Sequence, residues 1–219
     1  MTGVDALADT DRGDADTVDA SDTADTAAST RERLIASATA LIMQGGYAAA
    51  PVAAVAERTG VAAGTLYRHF PSKAALFVEV FRSVCGREVE AMREASERHA
   101  TATGALDAVV ATFATRALRH PRLAWALLSE PIDPQVDVER LAYRRRYREL
   151  VAGVVGAGVA SGEFARQDPE LAAAALVGAI GDALVGPLSP AGAGFADDEA
   201  LVTELAAFCR RAVGVPSRA

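Results

Sequence analysis

The sequence predicts an all-α protein with two domains, a three-helix domain over residues 29–73 and a larger helical domain over residues 74–215. Apolar residues recur at intervals of three and four through most of the chain, which places them on one face of a helix. Two short helical segments follow each other closely around Gly60, and beyond residue 73 the helical pattern is interrupted only at short breaks. With 219 residues, 51% of them apolar, the chain can bury a core in one small and one medium domain.

Residues 1–28 are expected to form a disordered acidic tail. They contain eight aspartates, one arginine and hardly any large apolar side chain, so they cannot bury enough surface to fold. One positive and eight negative charges give −7, which equals the net charge of the whole chain, so the remaining residues sum to zero.

The first helix is predicted to begin at Ser29, because Ser29 and Glu32 have the spacing of a capping box. Gly45 and Gly46 are expected to end it. Its apolar face repeats at helical spacing and comprises Leu34, Ile35, Ala38, Leu41 and Ile42.

Two short helices come next, in the arrangement of a helix-turn-helix. Pro51 is suited to the first position of one helix, and Gly60 supplies the permissive backbone of the turn. The second helix carries Tyr67 and His69 and stops before Pro71. In a helix-turn-helix the second helix lies in the major groove of DNA, so these side chains are candidates for DNA contact.

A further helix begins after Pro71, with Ser72 as its cap and Lys73, the only lysine in the sequence, as its first residue. A cation at a helix N-terminus is unfavourable to the macrodipole, which argues for an external anion near Lys73. Residues 29–76 carry five basic and two acidic side chains, a net charge of +3 within an acidic protein. This is the local basic footprint of a DNA-binding domain.

Taken together, these positions resemble the TetR family of bacterial transcriptional regulators. The resemblance implies an all-helical homodimer that joins a small DNA-binding domain to a larger domain with an effector pocket and the dimer interface. It also implies a repressor that leaves its operator when a small molecule binds. The residues that carry it are Gly46-Tyr47, Val52, Val55-Ala56, Gly60-Val61, Gly64-Thr65-Leu66-Tyr67, His69-Phe70 and Ser72-Lys73.

The resemblance also assigns DNA contacts by position. It places Thr65, Tyr67, His69 and Lys73 at phosphates. The residues that it places nearest the base edges are Ala62, Ala63 and Gly64. Phe70, in contrast, is expected in the core of the small domain.

Ala50 and Ala62 depart from the family pattern, which often has a hydroxyl residue at each position. Each alanine removes a side-chain cap and a phosphate hydrogen bond. We expect weaker dependence on those contacts, with readout of the DNA resting on thymine methyl groups and DNA shape. A protein that has lost sequence-specific DNA binding is the alternative that these alanines leave open.

The larger domain is predicted to contain further helices with short connections. One spans about 73–98 and another contains residues 106–118, while a short helix over about 123–129 ends in a loop at 130–134 that two prolines enforce. A long helix follows and stops at Gly162 at the latest.

Five arginines lie on this long helix. Such a run is usually a solvated face, here paired with Glu139 and Glu149. One arginine turned inward could instead bind an acidic effector, but the sequence does not say which. The five are Arg140, Arg144, Arg145, Arg146 and Arg148.

An effector cavity is expected within the helices of residues 74–162, if the resemblance extends to them. Ligand pockets are mainly apolar with a few polar groups that orient the ligand. The alternative is that the same side chains are plain core, which is the commoner role of an aromatic and aliphatic stripe. The candidates are Phe81, Met92, Phe113, Trp125, Tyr143 and Tyr147.

The last two helices are expected to form the dimer interface. One opens at Asp168 or Pro169 and carries small residues four apart, which allow close helix approach. A membrane span is rejected for this segment, because it is rich in alanine and glycine, contains Asp182 and breaks at Pro187. A second helix over residues 197–213 would complete a four-helix interface whose two-fold axis matches a palindromic operator.

No enzyme motif, metal cluster or cofactor-binding loop is apparent in the sequence, so we expect neither catalysis nor a cofactor nor a metal. Cys85 and Cys209 are expected to be buried small residues. No signal peptide is apparent, which favours a cytoplasmic protein that binds double-stranded DNA. The acidic tail either lowers nonspecific DNA affinity or is a neutral extension or misassigned start.

Overall fold

The computed structural model describes residues 16–192 and 197–215, with side chains from residue 29 onward, and this part of the chain contains helices and loops only. The predicted fold class is confirmed. The helices of the described part are α1 (Asp16–Gly45), a 3₁₀ turn (Tyr47–Ala49), α2 (Val52–Thr59), α3 (Ala63–His69), α4 (Lys73–Glu97), α5 (Ala102–Arg119), α6 (Pro121–Leu128), α7 (Pro134–Ser161), α8 (Pro169–Leu188) and α9 (Asp198–Ala212).

Helix α1 begins at Asp16, so the prediction that Ser29 caps its N-terminus is wrong. Residues 16–28 of the predicted disordered tail are helical, and residues 1–15 lie outside the described residues. No glycine or proline occurs between Asp16 and Gln44 and alanine is frequent there, so nothing in this segment stops a helix. The helix ends at Gly45 as predicted.

The helix-turn-helix forms as the sequence predicts. Gly60 ends α2 with a φ of +74°, a left-handed conformation that glycine adopts at no steric cost. Pro51 lies one position earlier than expected, just before the first helical residue of α2. Ser72 caps α4 by accepting a 3.0 Å hydrogen bond from the backbone N–H of Ala75. The turn before α3 and the cap after it together set the orientation of α3 within the domain.

Two hydrophobic cores share helix α4. Its first half, including Phe77 and Val80, packs with α1–α3 in the first core, to which α6 and the start of α7 also contribute. Met92, near its other end, lies in the second core with residues of α5, α8 and α9. The expected domain boundary at residues 73/74 therefore falls at the start of a helix that belongs to both cores. The core of the small domain is incomplete without residues of α6 and α7.

The two cysteines are free and buried, one in each core. Burial raises the pKa of the Cys85 thiol to about 12 and that of Cys209 to about 11. Both thiols are therefore protonated near neutral pH and act as small apolar groups, as the sequence predicts.

Helix α8 is long and apolar enough to span a membrane, with a mean hydropathy of 1.8, and only 28% of that apolar stretch is buried. Its buried side, which includes Leu176 and Leu184, lies in the second core. Pro187 does not break it, because the helix runs one residue further to Leu188. The exposed side is a stripe composed of Leu171, Ala175, Gly178, Asp182 and Gly186.

Glu163 fastens the α7–α8 connection to the first turn of α5. Its carboxylate accepts hydrogen bonds of 3.0 Å from the backbone N–H groups of Ala102 and Thr103. These groups have no partner within their own helix, so the carboxylate satisfies donors at a helix N-terminus. Hydrogen bonds from Thr103 and Ala102 hold the pKa of the Glu163 carboxyl below its ordinary value.

We expect Glu163→Gln to lower the melting temperature at pH 7, since the amide replaces one charged acceptor oxygen with a donor. A carboxyl whose pKa is depressed by folding contributes stability above its unfolded pKa and loses it as the pH falls through the folded pKa. The difference from wild type should therefore shrink below about pH 4.3, the ordinary glutamate pKa. Calorimetry from pH 3 to pH 8 measures both effects.

Glu204→Gln is the matched control, because Glu204 is exposed and has no ion-pair or hydrogen-bond partner among the described residues. It should leave the melting temperature unchanged. A Glu163→Gln protein as stable as wild type at pH 7 would contradict the assigned role of Glu163.

Candidate functional site

The outer side of α3 is exposed and faces away from the first core. Ala63, Gly64, Tyr67 and Arg68 lie on this side, and 51% of Tyr67 is accessible to solvent. The inner side carries Leu66, which is fully buried. The position after the helix is Phe70, also buried, so its predicted place in the core is confirmed. Helix α3 therefore presents small residues and two long side chains to whatever binds there.

Six of the seven predicted DNA contacts lie on α3 or at its N-cap. Ala62 is the N-cap and makes no side-chain capping bond, as its lack of a hydroxyl predicts. Thr65 and His69 are half-buried at the edges of the exposed side, where the Arg68 guanidinium donates a 3.1 Å hydrogen bond to the Thr65 hydroxyl. Ala50, the other departure from the family pattern, is buried in the first core.

Gly64 is not required by the fold. A Cβ at this position would meet nothing within 4 Å, and its backbone is not left-handed. Glycine costs helix stability relative to alanine. The fold therefore gives no reason for a glycine at this position, and a close approach of DNA to its backbone stays a prediction.

Lys73, the seventh predicted contact, points into the protein. Its ammonium donates a 2.8 Å hydrogen bond to the Tyr47 carbonyl and lies 3.8 Å from the centre of the Tyr47 ring. Desolvation lowers the pKa of Lys73, and the nearby carboxylate of Glu130 opposes that shift. Lys73 therefore has internal partners, and an external anion is not needed to explain a cation at this helix N-terminus. A phosphate contact by Lys73 stays a prediction.

Other basic side chains of the footprint also bind partners inside the protein. Arg31 forms a 2.5 Å ion pair with Glu79, and Arg33 donates a 2.6 Å hydrogen bond to the Thr59 carbonyl at the end of α2. Arg58 and Arg68 remain exposed, and neither has an ion-pair partner among the residues described. The sequence counted Arg68 in the basic footprint but did not list it among the individual contacts, because its exposure and its position on the outer side had to be known.

Glu130 joins the small domain to the larger one. It follows α6 in the proline-enforced loop, and its carboxylate accepts a 3.3 Å hydrogen bond from the backbone N–H of Tyr47. The Tyr47 ring in turn packs edge-on against Phe77, with 4.9 Å between the centroids. Burial, with the charges of Asp133 and Glu130, raises the pKa of Tyr47. We call Tyr47, Lys73 and Glu130 the junction.

Arg140 is the inward arginine of α7, and it binds backbone instead of solvent. Its guanidinium donates to the carbonyls of Ala126, Leu127 and Glu130 at 2.5–2.9 Å, which satisfies acceptors at the C-terminus of α6. The predicted pairing of Glu139 with the arginine run is wrong, because Glu139 accepts from Arg82 of α4 at 2.6 Å. Tertiary packing of α7 on α4 brings that closer partner within reach.

A small cavity of about 90 Å³ lies between α4, α5, α6 and α7. Arg140 forms part of its wall, so the cavity touches the group that holds the end of α6. Glu88 and Arg116 form a bidentate ion pair, at 2.5 and 2.9 Å, in the wall. The other lining residues are mostly apolar or aromatic and include Phe81, Val84, Cys85, Leu123, Leu127 and Tyr143.

A large cavity of about 390 Å³ lies next to it, between α4, α5, α7 and α8. Its walls are mostly aliphatic, and the charged groups in its lining are Arg144, Arg148 and Asp182. Four residues line both cavities, which are therefore adjacent: Phe113, Leu128, Arg144 and Tyr147. This volume falls in the range of ligand-binding pockets.

Five of the six predicted pocket residues line these cavities. Phe81, Phe113, Tyr143 and Tyr147 line the small cavity, and Met92 lines the large one. Trp125 lines neither; it is partly buried and packs against the second core. The sequence could not assign Arg144 and Arg148 to the cavity, since that requires knowing which side of α7 faces α8.

Two family models match the chain. Residues 34–80 match the model described as bacterial regulatory proteins of the tetR family, and residues 99–184 match the tetracyclin repressor-like C-terminal domain. The first match covers the helix-turn-helix, and the second covers most of α5–α8, which form walls of both cavities. The matched family is one of regulatory proteins, in agreement with the expectation that the chain is not an enzyme.

Known relatives are described as helix-turn-helix-type transcriptional repressors. The transcriptional repressor KstR2 from Rhodococcus jostii is 31% identical over 147 residues, which are 65% of this chain and 72% of that protein. The repressor KstR from Mycolicibacterium smegmatis is 46% identical over 74 residues, and this match spans 34% of each chain. The chain thus matches about a third of the length of KstR.

A solved structure shares the fold. The transcriptional regulator FadR from Bacillus subtilis, determined in complex with stearoyl-CoA, superposes with a TM-score of 0.70 at 23% identity. The superposition covers 85% of this chain and 99% of that one, so it includes both the helix-turn-helix and the larger helical domain.

We expect Gly64→Ala to weaken DNA binding about tenfold, which corresponds to about 1.4 kcal/mol, because the added methyl group separates α3 from the DNA surface. The same change should leave the fold intact and can raise its stability by up to about 1 kcal/mol. DNA binding by fluorescence anisotropy and melting by calorimetry measure the two effects.

Gly153→Ala is the matched control, since Gly153 is an exposed helical glycine whose added Cβ would also meet nothing within 4 Å. It should leave DNA affinity unchanged. Equal DNA affinity of the Gly64→Ala and wild-type proteins would show that α3 does not approach DNA closely at this residue.

Proposed function

Because the chain belongs to the TetR family of bacterial regulatory proteins, we propose that it is a transcriptional repressor released from DNA by a small-molecule effector. The single observation that carries this proposal is the coexistence of an exposed recognition helix with a ligand-sized cavity in the second domain. The protein acts in the cytoplasm, where bacterial chromosomal DNA lies.

The recognition helix α3 binds the major groove of double-stranded DNA. Gly64 and Ala63 allow the helix to approach the base edges, and Tyr67 with Arg68 reaches phosphates or bases beside them. Arg58 and Arg68 have no ion-pair partner among the described residues, so their charges are available to attract DNA phosphates. Because few charges are free, DNA shape and close fit contribute a large part of the recognition.

The protein acts as a homodimer through α8 and α9. The exposed side of α8 holds Ala175, Gly178 and Gly186, small residues that allow a second helix to pack closely. Phe208 of α9 is 43% exposed and adds apolar surface. Two copies related by a two-fold axis present two recognition helices, which matches a palindromic operator.

The effector is a small apolar or amphipathic molecule held in the large cavity and reaching the small one. Apolar walls favour an apolar body, and Phe113 and Tyr147 line both cavities, so an effector in the large cavity lies beside the small one. The FadR structure that shares this fold holds stearoyl-CoA, a molecule with a long apolar chain. We therefore take a fatty acyl chain as the first effector class to test.

The junction carries the signal from the cavities to the DNA. Arg140 forms part of the small cavity and holds the end of α6, and Glu130 follows that end. Glu130 binds the Tyr47 backbone, which Lys73 holds at the start of α4. An effector that displaces α6 thereby moves Tyr47 and Lys73, and with them the helix-turn-helix.

Binding to DNA from upstream of the protein's own gene tests the function directly. The purified protein, with excess nonspecific competitor at physiological salt, should give a footprint with two-fold symmetry. Addition of lauroyl-CoA should release it. Binding that competitor removes completely would instead favour a protein that has lost sequence-specific DNA recognition, the alternative motivated by Ala50 and Ala62.

We expect Glu130→Gln to reduce the coupling between effector and DNA. The amide keeps the shape of the side chain but removes the charge that attracts Lys73 and the Tyr47 amide. The ratio of DNA dissociation constants with and without effector, typically 5–150-fold in allosteric proteins, should fall at least about threefold. Anisotropy titrations at saturating effector measure this ratio.

Glu149→Gln, at an exposed glutamate of α7 with no ion-pair partner among the described side chains, is the control and should keep the wild-type ratio. In the absence of DNA, effector affinity should be the same in all three proteins. An unchanged ratio in Glu130→Gln would mean that the signal takes another route.

A further inference from the structure

Arg144 and Arg148 lie one turn apart on α7 and both line the large cavity. Both residues are exposed and also line the cavity, so this part of its lining is accessible to solvent. Neither has a hydrogen-bond or ion-pair partner within the described part of the chain. They differ in this from Arg140 on the same helix, whose donors are taken by α6 carbonyls and by Asp137.

We propose that Arg144 and Arg148 bind the anionic head of the effector at the mouth of the large cavity, while its apolar chain occupies the interior. This inference rests on the proposed function, because it assigns the head group of the same effector. Guanidinium groups bind phosphate and carboxylate oxygens through paired hydrogen bonds. The ligand class is therefore a long-chain amphipathic anion.

The polarity of the cavity supports this orientation. Val109, Val151 and Ile180 belong to its interior wall, where an apolar chain is favoured and a charge is costly. The charged lining residues are two arginines and Asp182 on α8, which leaves a net charge of +1. An anion placed between the two arginines is attracted by both, and Asp182 weakens that attraction.

Neighbouring arginines of α7 offer an internal comparison. Arg146 lies over the Tyr143 ring, with 4.7 Å from the guanidinium carbon to the ring centroid. Arg145 is exposed and lines neither cavity. Arg145→Gln removes the same charge from the same helix without touching the cavity, so it separates a local head-group contact from a general change in surface charge.

The test measures the affinity of the full-length protein for three probes with the same chain: lauroyl-CoA, laurate and monolauroylglycerol. Calorimetry is done below the critical micelle concentrations. Arg144→Gln and Arg148→Gln should each weaken a charged probe about tenfold, the loss expected when one charge-assisted contact is removed. The neutral probe and the Arg145→Gln protein should show changes within about twofold. Asp182→Asn should tighten binding of the charged probes.

The two anionic probes identify the source of the head group. A loss confined to lauroyl-CoA points to phosphates, and a loss confined to laurate points to a carboxylate, because the thioester carries no free carboxylate. A loss for both probes shows that the arginines accept either anion; each of these results supports the assignment. Unchanged affinity for charged probes in both arginine variants, or an equal loss for the neutral probe, overturns it. If the wild-type protein binds lauroyl-CoA but stays bound to DNA, the proposed function fails instead. If wild type binds none of the probes, both proposals fail for this ligand class.

Discussion

The sharing of helix α4 between two hydrophobic cores is the constraint on which the rest of the structure depends. Phe77 and Val80 commit its first half to the core beneath the helix-turn-helix, and Met92 commits its far end to the core beside the large cavity. Its 25 residues form a rod of about 37 Å. Because packed helices do not deform continuously, a change at one end of this rod is felt at the other.

Several basic side chains of the small domain have partners inside the protein, so few of its positive charges face outward. Arg31, Arg33 and Lys73 all have partners within the protein, where they join helices or hold the Tyr47 backbone. These internal contacts weaken the electrostatic attraction of the domain to DNA. In return, the helix-turn-helix is connected to α6 through Glu130. In the proposed mechanism, the contacts of Lys73 and Glu130 with Tyr47 carry the effector signal to the helix-turn-helix.

Local chemistry explains which features could be predicted. The turn at Gly60, the cap at Ser72 and the stop at Gly162 depend on single residues and their neighbours, and all three occur where expected. The predicted start of α1 at Ser29 was wrong, because a capping box is only a local preference. No glycine or proline lies between Asp16 and Ser29, so the helix continues through this segment and a single cap signal does not prevent it.

The sequence by itself determined the all-helical fold, the helix-turn-helix and the apolar side chains that surround the cavities, since periodicity and punctuation encode them. Only the tertiary structure decided the direction of each long charged side chain. Lys73 turned to Tyr47 and Arg140 to the end of α6, while Arg144 and Arg148 line the large cavity and have no partner among the described residues. The physical reason is that flexible charged side chains take the nearest acceptor, and acceptors far apart in sequence become neighbours only when helices pack.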